Sequence, residues 1–156
     1  MIQLCRVDHR LLHGQVAFSW TNAVNADCIL VASDHVVNDE IWKTTLKLGK
    51  PAGVKLVIKT IEDSIEAINS GITDKYKLLI VVQTIQDANR ISEQCESIKS
   101  INLGGAKKQE GYRAISKAVY IGSEEEKAIH EMLDRGLEVE IRQLAADSKV
   151  QVTSVL

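Results

Sequence analysis

Short apolar runs alternate along this chain with segments of helical period, and this alternation limits the folds open to it. The runs are rich in β-branched residues and cover residues 2–7, 28–32, 54–58, 78–82, 98–103, 118–121 and 137–141. Several are apolar throughout, which is typical of strands in a parallel sheet covered by helices. The alternation predicts an α/β fold with an open doubly wound, mostly parallel sheet of about seven strands and helices on both faces. A further short strand over residues 150–153 is expected to pair at an edge.

The segments between these runs carry apolar residues at helical spacing, as at Val16, Trp20 and Val24. Helix-end signals accompany them. Thr60 with Asp63 and Thr84 with Asp87 resemble capping boxes, Ser123 with Glu126 forms one, and Gly71 and Gly136 stand where C-terminal glycines are expected. No repeat or linker divides the chain, so residues 1–156 are expected to form one domain.

Charge and composition argue against several classes of protein. The net charge is −2, from 19 Lys and Arg against 21 Asp and Glu, and the scattered basic residues argue against nucleic acid as a partner. The apolar runs are far shorter than the roughly 20 residues that cross a bilayer, so we expect a cytoplasmic protein. Cys5, Cys28 and Cys95 have neither disulfide nor zinc spacing and are predicted to be buried small hydrophobes. We expect no metal site.

One segment between the first strand and the first helix concentrates ionisable groups. It reads RVDHRLLHGQV at residues 6–16. If the helix starts near His13, its free backbone N–H groups suit a phosphate, and Arg6 and Arg10 would add charge-assisted bonds. Asp8 would accept from an imidazole N–H and leave the other ring nitrogen nucleophilic. A solvated loop whose histidine only caps the helix is the alternative.

Other polar segments also follow predicted strands, where ligands bind in open parallel sheets. They are residues 33–38, 83–86 and 102–108. The stretch NLGG at 102–105 would present backbone N–H groups to a phosphate or sugar, but it lacks the dinucleotide and Walker patterns, so no nucleotide is expected. His35 is a weaker candidate near the site, and His130 is expected on a charged helix. Trp20 and Trp42 are interpreted as core or partner surface.

The segment at 6–16 resembles the phosphorylation-site signature of the EIIB component of the mannose/fructose/sorbose family of the bacterial phosphoenolpyruvate-dependent sugar phosphotransferase system (PTS). Similarity continues through SDHVVND at 33–39, LK at 46–47, PAGVK at 51–55, NLGG at 102–105 and the closing strand with its tail. The resemblance spans essentially the whole chain. It implies a single EIIB domain of the mannose/sorbose type over residues 1–156.

The resemblance assigns roles to individual residues. It makes His13 the phosphorylated nucleophile, flanked by Asp8 and Arg10. The remaining implied site residues are Arg6, Gly14 and Gln15 in the active-site loop, and Ser33, Asp34, Asn38, Gln83 and Thr84 on neighbouring strand-end loops. At His9 this sequence departs from the family pattern, where Asp or another small polar residue is expected, and this places a second imidazole four positions from His13.

The implied activity is that of a protein-phosphohistidine sugar phosphotransferase. The chain would accept phosphate from phosphorylated EIIA and pass it to a hexose or amino sugar of the mannose, fructose, sorbose or N-acetylgalactosamine class. Membrane EIIC and EIID components would translocate the sugar, with this subunit docked on them from the cytoplasm. No cofactor is implied, and a homo-oligomer stays an open alternative.

The sequence fits two other classes of protein less well. A receiver-like regulatory module would take its phosphoryl group on Asp34, but it needs clustered carboxylates for a metal, whereas Asp8 at the end of the first strand is surrounded by Arg. A dehydrogenase-like enzyme is disfavoured because the Gly fingerprint of a dinucleotide site is missing.

Overall fold

The computed structural model describes residues 1–156 and contains nine strands and five α-helices. The strands are β1 (Ile2–Asp8), β2 (Cys28–Ala32), β3 (Lys55–Lys59), β4 (Leu78–Val82), β5 (Ser100–Gly105), β6 (Arg113–Ala114), β7 (Tyr120–Ile121), β8 (Glu138–Ile141) and β9 (Val150–Gln151). The helices are α1 (Gly14–Ala23), α2 (Glu40–Gly49), α3 (Ile61–Asn69), α4 (Ile85–Gln94) and α5 (Ser123–Asp134), with 3-10 turns at Val36–Asn38 and Val152–Ser154. None of these helices combines the length and the apolar character needed to span a membrane.

Seven strands form one sheet in the order β3-β2-β4-β1-β5-β8-β9. All neighbouring pairs are parallel except the last, in which β9 runs antiparallel to β8 at the edge. This confirms the predicted open, mostly parallel α/β sheet and its short edge strand. The run at 118–121 is not a strand of this sheet, because Tyr120 and Ile121 pair with β6 in a separate two-stranded ribbon. The ribbon is tied to the sheet through a bridge between Ala106 and Val119.

The helices cover both faces of the sheet. Ala17 and Trp20 of α1 and Leu46 of α2 pack on one face against Ile29 and Val31. The other face is covered by α3, α4 and α5, whose buried residues are Ile61, Ile68, Ile85, Ala88, Ile91, Ala128, Ile129 and Met132. The chain therefore leaves β1 toward one face and leaves its neighbours β4 and β5 toward the other. In such sheets this divergence opens a crevice at the carboxyl ends of the strands, where ligands bind.

Most of the predicted helix ends are found. The hydroxyls of Thr60 and Thr84 accept hydrogen bonds from the backbone N–H groups three residues on, each at 3.0 Å. Gly71 and Gly136 follow α3 and α5 with φ of +84° and +87°, a left-handed conformation that favours glycine.

The capping box predicted from Ser123 and Glu126 is wrong by one residue. Ser123 already has helical backbone geometry, so Gly122 precedes the helix. The side chain that reaches back is that of Glu125, which accepts the Gly122 N–H at 2.8 Å. The cap is therefore provided by a carboxylate, because glycine has no side chain to contribute.

Candidate active site

The loop between β1 and α1 is a tight, anchored turn. The N–H of Leu11 donates to the carbonyl of Asp8 at 2.8 Å, and Leu11 adopts a φ of 60°. The N–H of His9 donates to the carbonyl of Gly105 on β5 at 3.1 Å. Leu11 and Leu12 are buried in the core beneath α1 and α2. Burial of the two leucines fixes the loop, and His13 follows at the rim of the sheet.

His13 is bonded to Asp8 through one ring nitrogen. Nε2 of His13 lies 3.1 Å from Oδ2 of Asp8, whose side chain is 1% exposed. The same carboxylate accepts from the Arg6 guanidinium at 3.1 Å and from the backbone N–H of Arg10 at 3.0 Å. Because a carboxylate only accepts, Nε2 carries the proton and Nδ1 keeps its lone pair. Nδ1 makes no hydrogen bond, and the His13 side chain is 23% exposed.

The start of α1 adds an electropositive surface beside this imidazole. His13 is the N-cap residue of α1, in extended conformation, and its ring makes no capping hydrogen bond. Gly14 opens the helix with a φ of +47°, which an L side chain rarely adopts. Gln15 follows it and is exposed. The backbone N–H groups of this first turn have no acceptor within the helix and favour an anion.

The two arginines of the segment occupy different environments. Arg6 is buried, and its guanidinium donates to Asp8, to the Asn102 amide oxygen at 2.7 Å and to the carbonyls of Arg142 and Gln143 at 3.0 Å each. With these partners it contacts the site through Asp8 and is not presented to a phosphoryl group. Burial lowers the pKa of Arg6, and the charge of Asp8 opposes this effect. The side chain of Arg10, in contrast, is exposed.

Gly104 makes room for the buried guanidinium. A Cβ atom at this position would overlap the Arg6 guanidinium. The glycine therefore allows close packing of the Arg6 side chain against the β5 backbone. Gly105, the next residue, lies against the side chains of Asp8 and His9.

Sequence reasoning missed a buried polar chain that continues from Arg6. The amide of Asn102 on β5 donates to Glu140 on β8 at 2.9 Å, and both side chains are buried. Arg142 pairs with Glu140 at 3.1 Å, and Trp20 of α1 lies 5.0 Å from the guanidinium carbons of both Arg6 and Arg142. The available signal was the polar residues within these two strands, Asn102 in SINLGG of β5 and Glu140 in EVEI of β8, at positions where a sheet covered on both faces buries its side chains.

The predicted residues on neighbouring loops contact one another and make no hydrogen bond to His13. The buried Ser33 hydroxyl lies 3.3 Å from the Gln83 amide oxygen. Thr84 is occupied as the N-terminal cap of α4. Asn38 is exposed and reaches the Asp34 carbonyl at 3.5 Å.

Asp34 is held away from His13 by two other partners. It accepts from the Ile61 N–H at 2.9 Å and pairs with Arg90 at 2.9 Å. The Ile61 N–H and then Arg90 hold the pKa of this carboxyl below its usual range. No group of three or more His, Cys, Asp or Glu side chains lies close enough together to hold a metal ion.

The other predicted residues take up varied positions. His9 lines a pocket of about 170 Å³ together with Gln83 and Thr84, and its Nδ1 is buried without a hydrogen-bond partner. His35 packs edge-on against Trp42, with ring centroids 5.5 Å apart. His130 is exposed on α5.

A larger cavity of about 530 Å³ lies between α3 and the β2–β3 edge and contains none of the predicted site residues.

The three cysteines are unpaired and buried, as predicted. They lie within the larger of the two core clusters, the one formed with α3, α4 and α5. Burial raises the pKa of Cys5 to about 12 and that of Cys95 to about 11, and it also raises the pKa of Cys28. None of them contributes to the His13 site.

Comparisons with known proteins agree on one family. Residues 2–156 match the family model of the PTS sorbose subfamily IIB component. The chain is 30% identical over 156 residues to the mannose-specific EIIAB component of Escherichia coli K12, all of this chain but only 48% of that protein, so it spans about half the length of this relative. It is 29% identical to the fructose-specific EIIB component of Bacillus subtilis, over 99% of this chain and 95% of that one.

A solved structure shows the same architecture. The crystal structure of the IIB domain of the sorbose permease from Klebsiella pneumoniae superposes with a TM-score of 0.94 at 27% identity, covering 99% of this chain and 94% of that one. The family model covers nearly the whole chain, and the fold with its central parallel sheet is shared. The protein therefore belongs to the IIB components of the mannose/fructose/sorbose family of the bacterial sugar phosphotransferase system.

Proposed function

We propose that this IIB protein is a phosphoryl carrier that takes phosphate on His13 from a phosphorylated EIIA and passes it to a sugar. Residues 1–156 act in this proposal as one EIIB domain. The sugar is a hexose or amino sugar of the mannose, fructose, sorbose or N-acetylgalactosamine class. The relatives named for mannose, fructose and sorbose transport support this range of substrates.

The geometry of the His13 ring carries the proposal. Asp8 holds the proton on Nε2, so the lone pair of Nδ1 stays free on a partly exposed side chain. The neighbouring N–H groups of the α1 first turn and the exposed Arg10 provide positive charge where a phosphoryl group would lie. The nucleophile is therefore Nδ1, and the phosphate lies outside the buried network.

The first transfer is an in-line displacement at phosphorus. Nδ1 of His13 forms a bond to phosphorus as the P–N bond to the EIIA histidine breaks, and that electron pair returns to the EIIA imidazole. The His13 ring gains positive character while Nε2 keeps its proton, so the Asp8 carboxylate stabilises the product. The N–H groups of α1 and the Arg10 guanidinium stabilise the equatorial oxygens. The chemistry needs no cofactor.

The second transfer reverses the roles at His13. A sugar hydroxyl oxygen attacks phosphorus, the P–Nδ1 bond breaks with its electron pair returning to the ring, and the hydroxyl proton passes to solvent water, so His13 returns to its neutral Nε2–H form. The site lies at the exposed rim of the sheet, which lets two partners approach in turn. In this proposal EIIC and EIID present the sugar, so the protein works in the cytoplasm, docked on these membrane components.

The test is to locate the phosphate. The purified protein is incubated with phosphoenolpyruvate, enzyme I, HPr and a mannose-family EIIA, and modified residues are mapped by mass spectrometry under alkaline conditions. We expect one acid-labile phosphate on His13, none in His13→Ala, and wild-type labelling in His130→Ala, a matched control on the exposed face of α5. Phosphate on His9 would refute the assignment of His13, and a base-labile phosphate on Asp34 would refute the carrier mechanism.

A further inference from the structure

A chain of largely buried hydrogen bonds links His13 to two residues on the next two strands of the sheet, β5 and β8. From Glu140 on β8, the chain runs through Asn102 on β5 to Arg6 and Asp8 on β1 and ends at Nε2 of His13. We propose that Asn102 and Glu140 are positioning residues for phosphoryl transfer, which fix the Arg6 guanidinium and through it the Asp8 carboxylate that orients His13.

Asn102 connects the two halves of this hydrogen-bond chain. Its amide oxygen accepts from Nη1 of Arg6 at 2.7 Å, and its amide nitrogen donates to Oε1 of Glu140 at 2.9 Å. The side chain is completely buried, so both of its polar ends are satisfied by protein groups alone. The amide nitrogen also donates to the Arg142 carbonyl at 3.2 Å. The bond to Glu140 is the shorter one, and together the two set the orientation of the amide, because a flipped amide would turn its nitrogen toward the Arg6 donor.

The Arg6 guanidinium is held on every side. Nη1 bonds to Asn102 and to the Arg142 carbonyl, and Nη2 bonds to Asp8 and to the Gln143 carbonyl. Only in this orientation does Nη2 reach Oδ2 of Asp8, the same oxygen that accepts from His13. A tilt of the guanidinium at the Asn102 end would therefore move the acceptor of the His13 N–H.

The network is balanced in charge. Two carboxylates, of Asp8 and Glu140, face two guanidinium groups, of Arg6 and Arg142, and Asn102 bridges the two pairs without adding charge. Well-packed apolar residues often replace such buried pairs with no loss of stability. Fold stability alone does not call for a polar chain here, whereas precise orientation of a nucleophile does.

This inference rests on the proposed function, in which His13 is the nucleophile, and its primary readout is independent of phosphorylation. The ¹⁵N NMR shifts of the His13 ring report its tautomer in the unmodified protein. We expect a single Nε2–H tautomer in the wild type and a mixture in Asn102→Leu. We also expect phosphoryl transfer from EIIA to fall about 10- to 100-fold in this variant, as slight misplacement of reacting groups does.

Two further variants separate positioning from folding. Glu140→Gln keeps an acceptor for the Asn102 amide and should retain the wild-type tautomer, whereas Glu140→Leu should not. Leu103→Ala is the matched control, since Leu103 lies on the same strand as Asn102 and packs in the cluster on the opposite face of the sheet. It should lower stability and leave the tautomer unchanged.

The outcomes are distinct. Mixed tautomers in Asn102→Leu and Glu140→Leu, with a single tautomer in Glu140→Gln and Leu103→Ala, support the proposal. A single Nε2–H tautomer in both leucine variants, with transfer at the wild-type rate, would overturn it and make the network structural only. If Asn102→Leu does not fold, the comparison of Glu140→Gln with Glu140→Leu tests the proposal by itself. A phosphate found elsewhere than on His13 refutes the proposed function, while the tautomer data still report whether the network orients the ring.

Discussion

Nε2 of His13 and Oδ2 of Asp8 lie 3.1 Å apart, with the imidazole at the rim of the sheet and the carboxylate buried at the end of its central strand. The His13 imidazole is thereby hydrogen-bonded to a side chain of the central strand β1. Asp8 belongs to β1, which is paired on both sides by β4 and β5, so the carboxylate is positioned by backbone that cannot easily move.

Asp8→Asn should therefore impair both stability and transfer. The amide cannot neutralise the buried Arg6 guanidinium, and removing one partner of such a pair costs about 3–5 kcal/mol. Urea unfolding measures the loss of stability, and phosphorylation by EIIA measures the loss of transfer. An equally stable variant would show that Arg6 finds enough compensation in Asn102 and the two carbonyls alone.

Arg10→Lys should slow transfer and leave the fold intact. The Arg10 side chain is exposed, and its contribution to the loop is made by its backbone N–H, which donates to Asp8 at 3.0 Å and is retained in the variant. Lysine keeps the charge but loses the planar fork that binds two phosphoryl oxygens. Single-turnover phosphorylation should show a reduced rate with an unchanged urea midpoint. Arg113→Lys, at a half-exposed arginine paired with Glu126, is the control, and equal rates in both variants would remove Arg10 from the mechanism.

The fold was largely predictable from the sequence because two of its central strands, β2 and β4, are apolar on both faces. The runs at 28–32 and 78–82 coincide with β2 and β4 to the residue, since burial on both faces leaves no polar position within them. The run at 118–121 was misplaced because its two-residue strand has the same apolar composition as a sheet strand. Composition alone does not specify the partner of so short a strand.

The site was predictable only where its residues are adjacent in the sequence. Asp8, Arg10 and His13 lie within six positions, and the structure brings them together. The role of Asn102 was hidden, because its contacts with Arg6 and Glu140 span 96 and 38 positions. Such long-range polar contacts depend on strand order, which no local pattern encodes.

The buried cysteines should be inert in the folded protein. At pH 8 the thiols stay protonated, because burial raises the pKa of Cys5 to about 12 and that of Cys95 to about 11. Only the thiolate attacks a disulfide reagent. We expect Ellman's reagent to react slowly with the native protein at pH 8 and with all three cysteines after unfolding in guanidinium. Rapid reaction of one cysteine in the native state would contradict this and indicate local opening.

Asp34 should contribute stability that disappears in acid. Its pKa is held below its usual range by the Ile61 N–H and by Arg90, so its contribution is complete above the unfolded pKa of about 3.9. It is lost as the pH falls through the lower, folded pKa. The difference in urea midpoint between wild type and Asp34→Asn should be constant from pH 7 to about pH 5 and then shrink toward pH 3. A difference in urea midpoint that grows as the pH falls would contradict the prediction, because it would mean that folding raises the pKa of Asp34.

Gly104→Ala should disrupt the site from a distance by a single methyl group. The Cβ atom would overlap the Arg6 guanidinium, which is already bonded to four acceptors and has no room to retreat in a close-packed interior. Moving Arg6 breaks its pair with Asp8, so we expect a loss of about 3 kcal/mol or more in unfolding free energy together with slower phosphorylation of His13.

Gly49→Ala provides the matched control for this prediction. Gly49 ends α2, and a Cβ there would meet no atom within 4 Å. Alanine costs less backbone entropy than glycine in a helix, so this variant should be as stable as the wild type or slightly more stable, and should accept phosphate at the wild-type rate. Urea unfolding measures the stability of the two variants, and single-turnover phosphorylation measures their rates of phosphate acceptance. If Gly104→Ala behaved like Gly49→Ala, the Arg6 guanidinium would have an alternative position, and the orientation of Asp8 would not depend on the contacts described above.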